Sequence, residues 1–305
     1  MPAHLQPKLV NTDHQTLPLE SLCRQLQTEL GTNARGRLAP TPSGFLHLGN
    51  VRNFVLNWLL IRALGGQVGL RIDDMDPQRS QAHYVEAIFQ TLDWFGFDWD
   101  FGPQSVAEQA EFSFQKQTDV LYPIAQRLHT QGLAYACDCS RKTLQDSPTY
   151  PGLCASAQKT WQAGENALRF AAHRFGYPDD LVIWRRDGLP SYQLASVYRD
   201  QQDQINLLLR GADLLASSQF QQHLAQALGG YLANTQIWHH ALLTDSHGHK
   251  LSKSTGAQPQ GLANSGQSPA LLFPAIAVWL DLPAPDSIRK LSELYQAFGE
   301  RYFCP

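Results

Sequence analysis

The 305-residue sequence predicts an α/β fold made of a Rossmann-type parallel sheet, an inserted subdomain and a short helical C-terminal region. Three observations support this prediction. A strand, a helix and a second strand follow one another within residues 36–72, which is the spacing of a βαβ unit. Two further apolar strand patterns occur at residues 205–209 and 237–243. Residues 137–154 lack apolar periodicity and are rich in turn formers, so they indicate an insertion held together by something other than a hydrophobic core.

Composition and charge narrow the class of protein. Hydrophobic residues make up 43% of the chain and the formal net charge is −3, values typical of a folded protein with one large core or two modest ones. No apolar run approaches the roughly 20 residues that span a bilayer, and the N-terminus lacks the apolar core of a signal peptide. We therefore expect a cytoplasmic protein, with no membrane partner, that is a monomer. The charge also argues against wrapping a long nucleic-acid duplex, so any RNA contact should be local.

The N-terminal segment, residues 1–35, is polar and rich in Gln, with one short helix expected near residues 19–30. Nothing in this segment indicates chemistry. We treat it as an appendage to the main fold.

The first strand of the βαβ unit runs into a loop and a helix, over the sequence RLAPTPSGFLHLGN from Arg37 to Asn50. Apolar residues at 3- and 4-residue spacing continue the helix until the glycines at 65 and 66 end it. The loop thus lies at a helix N-terminus, where unpaired backbone N–H groups and the helix dipole favour phosphate. We predict a nucleotide site here, with His47 at its mouth.

The second strand of this unit ends in carboxylates. An alternating apolar pattern over residues 68–72 runs directly into Asp73, Asp74 and Asp76. Ligands of parallel sheets bind at the carboxyl ends of the strands. The phosphate loop and these carboxylates should therefore converge on one edge of the sheet.

The remaining elements follow from periodicity and from turn residues. We expect helices at residues 80–95, with Gly96 as the stop, and at 105–131, a hairpin around Asp187 and Gly188, a strand at 205–209 ending in Arg210 and Gly211, a helix at 219–228, a strand at 237–243, and helices at 271–280 and 287–298. His239 and His240 adjoin one of these strands, and we expect a hydrogen-bonded structural pair there rather than a metal site.

Three of the five cysteines, Cys137, Cys139 and Cys154, cluster in the segment without apolar periodicity. In a reducing compartment such a cluster indicates a metal before a disulfide, and tetrahedral zinc requires a fourth ligand. The spacing alone allows Asp138, Tyr150 or His173. The alternative is a set of unrelated reduced thiols.

The sequence KLSKS, residues 250–254, has two interpretations. It fits a mobile loop whose Lys253 neutralises charge that develops on a transferring phosphoryl or adenylyl group, a task suited to a compact ammonium. It also fits an ordinary solvated turn. The histidine loop about 200 residues earlier favours the first interpretation.

Together these motifs carry a family resemblance. PTPSGFLHLGN is similar to the HIGH signature, and KLSKS to the KMSKS signature, of class I aminoacyl-tRNA synthetases. RIDDMDPQRS resembles the RIEDTDxxRS segment of the glutamyl branch. SYQLASV, LLLRGADLL and the C-x-C then Y-x-x-x-C arrangement narrow the resemblance to the glutamyl-Q tRNA(Asp) synthetase family, short paralogues of glutamyl-tRNA synthetase. The resemblance covers about residues 36–257.

The resemblance implies an ATP-dependent aminoacyl ligase. Its reaction would be activation of L-glutamate to glutamyl-adenylate without need of tRNA, followed by transfer of glutamate to the queuosine base of tRNA(Asp). The implied partners are ATP, L-glutamate and tRNA(Asp) bearing queuosine. The implied metals are Mg²⁺ with the ATP and one structural Zn²⁺.

The resemblance also implies roles for particular residues. The catalytic residues would be His47, Asn50 and Lys253. Glutamate would be bound by Arg37, Leu38, Ala39, Pro40, Thr41, Asp73, Tyr192 and Arg210. ATP would be bound by His47, Gly49, Asn50, Lys250 and Lys253. Zinc would be bound by Cys137, Cys139, Tyr150 and Cys154, since in that family a tyrosine four residues before the last cysteine completes the site.

The same resemblance divides the chain. Residues 36–105 and 195–250 would form a split Rossmann-type catalytic domain, and residues 106–194 an inserted acceptor-binding subdomain that contains the zinc. Residues 251–305 would hold the KMSKS-like loop and a helical C-terminal region. The chain stops about 50 residues after KLSKS, so we expect no anticodon-binding region of the kind that continues glutamyl-tRNA synthetases.

Two departures from the family pattern keep alternatives open. Asn50 stands where the signature usually has its last histidine, and Asp73 stands where the family has glutamate, one methylene longer. One alternative is a truncated or partner-dependent glutamyl-tRNA synthetase that charges a tRNA 3′ end. The other is a non-catalytic paralogue that binds tRNA or a protein.

Overall fold

The structure, a computed structural model, describes residues 8–140, 144, 149–230, 235–241 and 261–303. Lys250 and Lys253, and with them the KLSKS sequence, lie outside the described residues. Among the helices that are described, none has the length and apolar character needed to cross a bilayer.

The chain divides into two compact units, each with its own core. Unit 1 comprises Met1–Ser113, Asn206–Leu215 and Gln236–Pro305. Unit 2 comprises Phe114–Ile205 and Ala216–Thr235. The strands of the described residues are β1 (Lys8–Asn11), β2 (Thr16–Pro18), β3 (Arg35–Leu38), β4 (Gln67–Leu70), β5 (Ala134–Cys137), β6 (Ala167–Phe170), β7 (Val182–Trp184), β8 (Leu207–Gly211) and β9 (Gln236–His240). Their α-helices are α1 (Leu19–Glu29), α2 (Leu48–Ala63), α3 (Ala82–Phe95), α4 (Val106–Phe112), α5 (Thr118–Thr130), α6 (Tyr192–Gln202), α7 (Leu215–Ala227), α8 (Phe273–Trp279) and α9 (Leu291–Tyr302).

The strands of unit 1 pair in both directions. β3 and β4 are parallel, as are β8 and β9, whereas β1 is antiparallel to β9 and to β2. The backbone N–H of Asn206 donates to the carbonyl of Arg35 at 3.0 Å, and a Cβ on Gly36 would meet the carbonyl of Leu207 at 2.9 Å. These successive contacts place β3 beside β8, running in the same direction. The expectation of a purely parallel sheet is therefore wrong, because the N-terminal strands add antiparallel pairs at one side.

The N-terminal segment is part of the core of unit 1 in its described portion. β1 and β2 extend the sheet, and α1 buries Leu19, Leu22 and Leu26, each 0% exposed. These positions are three and four residues apart, so they line one face of the helix. The segment that we expected to be an appendage thus covers an edge of the sheet and fills space beneath it.

α2 follows the predicted phosphate loop and is buried on most sides. Its buried residues include Val51, Val55 and Leu59, each 0% exposed, and it packs on β3 and β8. Gly36 makes this possible, because a Cβ there would lie 2.5 Å from the Cδ1 atom of Ile61. The close packing fixes the N-terminus of α2, and hence the loop before it, against the strand ends.

Unit 2 contains a three-stranded antiparallel sheet in the order β5–β6–β7. The expected hairpin around Asp187 and Gly188 is only half present: β7 ends at Trp184, a single bridge joins Trp184 to Pro190, and α6 begins at Tyr192. Proline lacks the N–H that a ladder needs, so the second strand does not extend.

Two helix predictions differ in their bounds. The expected helix at residues 105–131 is divided into α4 and α5, because Ser113 adopts an extended backbone with ψ of 134°. The helix expected at residues 80–95 is α3, and Gly96 ends it in the left-handed conformation with φ of 82°.

Candidate active site and candidate metal centre

His47 is the N-cap of α2 and links the phosphate loop to the helix. Its backbone is extended, with φ of −116° and ψ of 171°, and its side chain accepts a hydrogen bond from the N–H of Gly49 through Nδ1 at 3.0 Å. In the neutral ring the proton is then on Nε2, because Nδ1 acts as an acceptor. His47 is 9% exposed, so it presents one hydrogen-bond donor from a nearly buried position.

Asn50 completes the cap. Its Oδ1 accepts a hydrogen bond from the backbone N–H of His47 at 3.1 Å, so the two residues form a reciprocal capping box. An amide oxygen meets this need as well as the usual Glu or Gln does. The departure at Asn50 therefore has a structural role that the sequence signature did not indicate.

Gly49 lies against the His47 ring. A Cβ at this position would be 2.9 Å from Cε1 and 3.0 Å from Nδ1 of His47, closer than such contacts normally allow. Any side chain here would push the imidazole away from its hydrogen bond. The HxG spacing of the loop thus has a direct steric cause.

The predicted glutamate-binding stretch begins in β3 and continues past its end. The carbonyls of Leu38 and Pro40 accept hydrogen bonds from the N–H groups of Arg71 and Asp73, each at 2.9 Å. Ala39 and Thr41 flank Pro40 at this edge of the sheet. The β3–β4 pairing therefore extends to the carboxyl edge, where ligands of such sheets bind.

Two buried arginines belong to this part of unit 1. Arg37 in β3 is 7% exposed and Arg210 in β8 is 3% exposed. Their strands are neighbours, as the contacts between Arg35 and Asn206 establish. Buried guanidinium groups on adjacent strands of one edge suit recognition of carboxylates.

Asp73 forms an ion pair with Arg71. Nε of Arg71 lies 2.7 Å from Oδ1 of Asp73, and their side chains are 4% and 9% exposed. The shorter carboxylate is thus held close to the strand by the arginine two residues before it. Its position in the predicted pocket is fixed by that pair rather than by reach alone.

Asp74 has a partner that sequence reasoning missed. It is 5% exposed, and its Oδ2 accepts a hydrogen bond from Nε2 of Gln109 in α4 at 3.1 Å. Gln109 is itself 5% exposed. A glutamine in a short helix gives no sequence signal of such a role.

The predicted site residues do not all belong to unit 1. Tyr192 belongs to unit 2, where it is the first residue of α6 and 38% exposed. Within unit 1 the structure brings together His47, Gly49 and Asn50, and separately the ends of β3, β4 and β8.

The three clustered cysteines of unit 2 form a candidate metal centre. The Sγ atoms of Cys139 and Cys154 are 3.7 Å apart, and all three sulfurs lie within 4.8 Å of one another. The phenol oxygen of Tyr150 is 3.4 Å from Sγ of Cys137 and 3.7 Å from Sγ of Cys139. In a tetrahedral site with Zn–S bonds of about 2.3 Å, ligand atoms are separated by roughly 3.5 to 3.8 Å. These four atoms therefore fit zinc.

Two other candidates for the fourth ligand have different partners. Asp138 forms an ion pair with Lys159, and Nδ1 of His173 lies 2.7 Å from Oδ2 of Asp180. Tyr150 instead directs its oxygen at the sulfurs and accepts the backbone N–H of Cys154 at 2.9 Å. Of the three candidates that the spacing allowed, the geometry thus favours Tyr150.

The acid groups of this cluster oppose one another's ionisation. Burial, together with hydrogen bonds to the neighbouring thiols, raises the pKa of the Tyr150 phenol well above its ordinary value. Burial likewise raises the pKa of the Cys139 thiol. A bound divalent cation would favour the anionic forms of all four groups.

His239 and His240 are held by hydrogen bonds. Nδ1 of His239 lies 3.1 Å from the carbonyl of Val10, and Nε2 of His240 lies 3.1 Å from Oδ1 of Asn53. Burial lowers the pKa of His239 to about 4 and also lowers the pKa of His240. These contacts agree with the expected structural pair.

Comparison with known proteins identifies relatives of the whole described fold. The matching family model is tRNA synthetases class I (E and Q), catalytic domain, over residues 33–174 and 168–278. A glutamyl-Q tRNA(Asp) synthetase from Synechococcus sp. (strain CC9605) is 38% identical over 272 residues, 86% of this chain and 88% of that protein. One from Pseudomonas putida (strain W619) is 37% identical over 254 residues, 78% of this chain and 82% of that protein.

Solved structures share the fold. A glutamate tRNA ligase from Elizabethkingia meningosepticum, in complex with its amino acid, matches with a TM-score of 0.68 at 22% identity and 87% coverage of this chain. The glutamate-tRNA synthetase of Elizabethkingia anophelis matches with a TM-score of 0.69 at 21% identity and the same coverage. This chain spans 65% and 66% of the lengths of those two proteins.

Proposed function

This chain belongs to the class I tRNA synthetases of the glutamate and glutamine branch, and within them to the glutamyl-Q tRNA(Asp) synthetase family, and from that membership we propose its reaction. As an ATP-dependent aminoacyl ligase of this family, it activates L-glutamate to glutamyl-adenylate without need of tRNA. It then transfers the glutamyl group to the queuosine base of tRNA(Asp).

The observation that carries the proposal is the cap at the start of α2. His47 is nearly buried, its Nδ1 is occupied by the N–H of Gly49, and its backbone is tied to Asn50. The Nε2–H group is thereby left as a fixed donor at the positive end of a helix that is packed into the core. This is the arrangement that an α-phosphate with growing negative charge requires.

In the first step, an oxygen of the glutamate α-carboxylate attacks the α-phosphorus of ATP. The bond from that phosphorus to the bridging oxygen breaks, and pyrophosphate leaves with the bonding electrons. His47 and the first backbone N–H groups of α2 stabilise the charge on the α-phosphate oxygens. ATP enters as its Mg²⁺ complex, and the metal offsets the charge on the departing pyrophosphate.

Arg37 and Arg210 bind the glutamate carboxylates in this proposal, and residues 38–41 form the wall of the pocket beside them. Asp73, held by Arg71, lies at the neighbouring strand end and serves the substrate ammonium. Tyr192 completes the pocket, and Lys250 and Lys253 bind the phosphates. The roles of these last three residues rest on the family resemblance.

In the second step, a hydroxyl of the queuosine cyclopentene ring attacks the carbonyl carbon of the adenylate. The carbon–oxygen bond to AMP breaks, and the proton of the hydroxyl passes to solvent or to the phosphate. The enzyme positions two reactants that are already activated, so it needs no covalent intermediate of its own.

Zinc has a structural role in the proposal. Cys137, Cys139, Tyr150 and Cys154 would hold one Zn²⁺, and the match of their separations to a tetrahedral site supports this. The ion would pin a segment that lacks a periodic hydrophobic core. We assign residues 106–194 to acceptor binding, with the zinc maintaining that subdomain.

A two-part assay tests the proposed function. The first part measures glutamate-dependent exchange between ATP and labelled pyrophosphate without tRNA, in the wild-type protein and in His47→Ala. We expect exchange with the wild type and a loss of about 100-fold in the variant. No exchange with the wild type would favour the non-catalytic paralogue.

The second part measures transfer of labelled glutamate. The acceptors are tRNA(Asp) with queuosine, tRNA(Asp) without it, and unmodified tRNA(Glu). We expect transfer only to the first, and the ester should survive removal of the tRNA 3′ end because it lies on the base. Charging of tRNA(Glu) at its 3′ end would overturn the proposed acceptor in favour of a short glutamyl-tRNA synthetase.

A further inference from the structure

Arg169 is a buried cation beside the candidate metal centre. It lies in β6, opposite Tyr135 of β5, and is 8% exposed. Nothing in the sequence signatures includes it, since it is a single arginine in the strand sequence ALRF.

The guanidinium of Arg169 contacts two of the four metal-binding groups. Its Nε lies 3.3 Å from Sγ of Cys137, and its central carbon lies 3.7 Å from the centroid of the Tyr150 ring. Its Nη1 donates to the backbone carbonyl of Asp180 at 2.6 Å. The donors thus point at a sulfur and at a neutral carbonyl, and the flat face covers the phenol.

A buried arginine normally pairs with a carboxylate, because an isolated charge is costly to desolvate. In the described part of the chain, Arg169 forms no salt bridge with a carboxylate. Its hydrogen-bond acceptors are the Cys137 sulfur and the Asp180 carbonyl. The anion that compensates this cation must therefore come from the cluster itself.

The charge of a filled site fits that need. A divalent ion with three thiolates and one phenolate carries a formal charge of about −2. A guanidinium in contact with one thiolate and stacked on the phenol ring offsets part of that charge. It also restrains the two side chains that it touches.

We propose that Arg169 is a positioning residue of the zinc centre, which donates to the Cys137 thiolate and holds the Tyr150 ring so that its oxygen faces the three sulfurs. The inference rests on the zinc site of the proposed function. Metal centres whose ligands lose such a partner typically lose affinity by about 10- to 100-fold.

The variants are Arg169→Met, which keeps the length but removes charge and donors, and Arg169→Lys, which keeps the charge. The matched control is Arg127→Met, which removes an exposed arginine from α5 of the same unit. Zinc affinity is measured in the full chain by competition with a chromophoric chelator. The absorption spectrum of the Co²⁺-substituted protein is recorded beside it.

We expect Arg169→Met to weaken zinc binding by about 10- to 100-fold, Arg169→Lys to weaken it less, and Arg127→Met to leave it unchanged. In the Co²⁺ form, loss of the hydrogen bond to Cys137 should move the sulfur-to-metal charge-transfer band to lower energy. A purely structural role would weaken binding without moving this band. If Arg169→Met does not fold, Arg169→Lys alone should still show the band shift.

The outcomes separate the two proposals. A wild-type protein without stoichiometric zinc would overturn the metal site itself. A wild-type protein with one zinc, together with Arg169 variants of unchanged affinity and unchanged Co²⁺ spectrum, would overturn only the role of Arg169.

Discussion

The side-chain oxygen of Asn50 lies 3.1 Å from the backbone nitrogen of His47, while Nδ1 of His47 lies 3.0 Å from the backbone nitrogen of Gly49. One residue therefore serves as both helix cap and proposed phosphate ligand, and a second residue holds it in place. Stability and catalysis meet at this turn. Suitable substitutions should separate them.

His47→Asn should keep the fold and lose the chemistry. Asparagine is a good N-cap, so its side chain can replace Nδ1 as the acceptor, and the free energy of unfolding should change by less than about 0.5 kcal/mol. The Nε2–H donor is absent, so pyrophosphate exchange should fall by about 100-fold. Thermal unfolding and exchange rates measured on the same preparation check this. Equal activity in His47→Asn and wild type would remove His47 from the mechanism.

Asn50→Asp should keep the cap and weaken ATP binding. A carboxylate accepts the His47 N–H equally well and interacts favourably with the helix N-terminus, so the melting temperature should be unchanged or higher. The added negative charge lies beside the proposed phosphate site, so the KM for ATP should rise about tenfold. Asn50→Ala is the control: it should cost about 1 kcal/mol of stability with a smaller change in KM. A KM for ATP that Asn50→Asp leaves unchanged would place the phosphates elsewhere.

Gly49→Ala should displace the imidazole of His47, because the new Cβ would lie 2.9 Å from Cε1. We expect a loss of exchange activity of at least tenfold, with stability near that of wild type because alanine favours the helix. Gly299→Ala in α9 is the matched control, since a Cβ there meets nothing within 4 Å. It should gain about 1 kcal/mol and keep full activity. Full activity in Gly49→Ala would show that the His47 ring need not stay where the glycine allows it.

The stability of unit 1 should fall at mildly acidic pH because of His239. Burial lowers its pKa from 6.5 to about 4, so the folded state keeps the ring neutral while the unfolded chain takes up a proton below pH 6.5. Between pH 7 and pH 5 the free energy of unfolding should therefore drop by about 2 kcal/mol from this residue. Denaturant unfolding of the wild type and of His239→Gln at both pH values measures the difference. His83→Gln, at an exposed position, should leave the pH dependence unchanged.

Local patterns predicted the part of the fold that carries the proposed site. The apolar spacing after His47, the glycine stops and the alternation before Asp73 depend on residues close together in the chain, and α2, α3 and β4 lie at or near the expected positions. The cysteine cluster was equally legible, because its three sulfurs come from one short segment and meet within 4.8 Å. Short-range periodicity and side-chain chemistry are sufficient for such features.

Other features depend on contacts between distant residues. The four residues of β1 have no pattern of their own, and they become a strand because Leu9 pairs with His240. The residues after Asp187 read as a second hairpin strand, but burial of Leu194, Ala195 and Val197 selects a helix. Arg169 acquires its meaning only when β6 brings it against Cys137 and Tyr150. None of these relationships is visible along the sequence.

The pairing of Leu9 with His240 also sets an order of events during synthesis. The first strand leaves the ribosome long before the strand that it pairs with, and the apolar face of α1 must wait with it. Contacts between such distant parts of a chain form slowly and leave sticky surface exposed in the meantime. The nascent protein is therefore most vulnerable to aggregation until its last third has been made, and a chaperone that shelters the first 30 residues would act where the need is greatest.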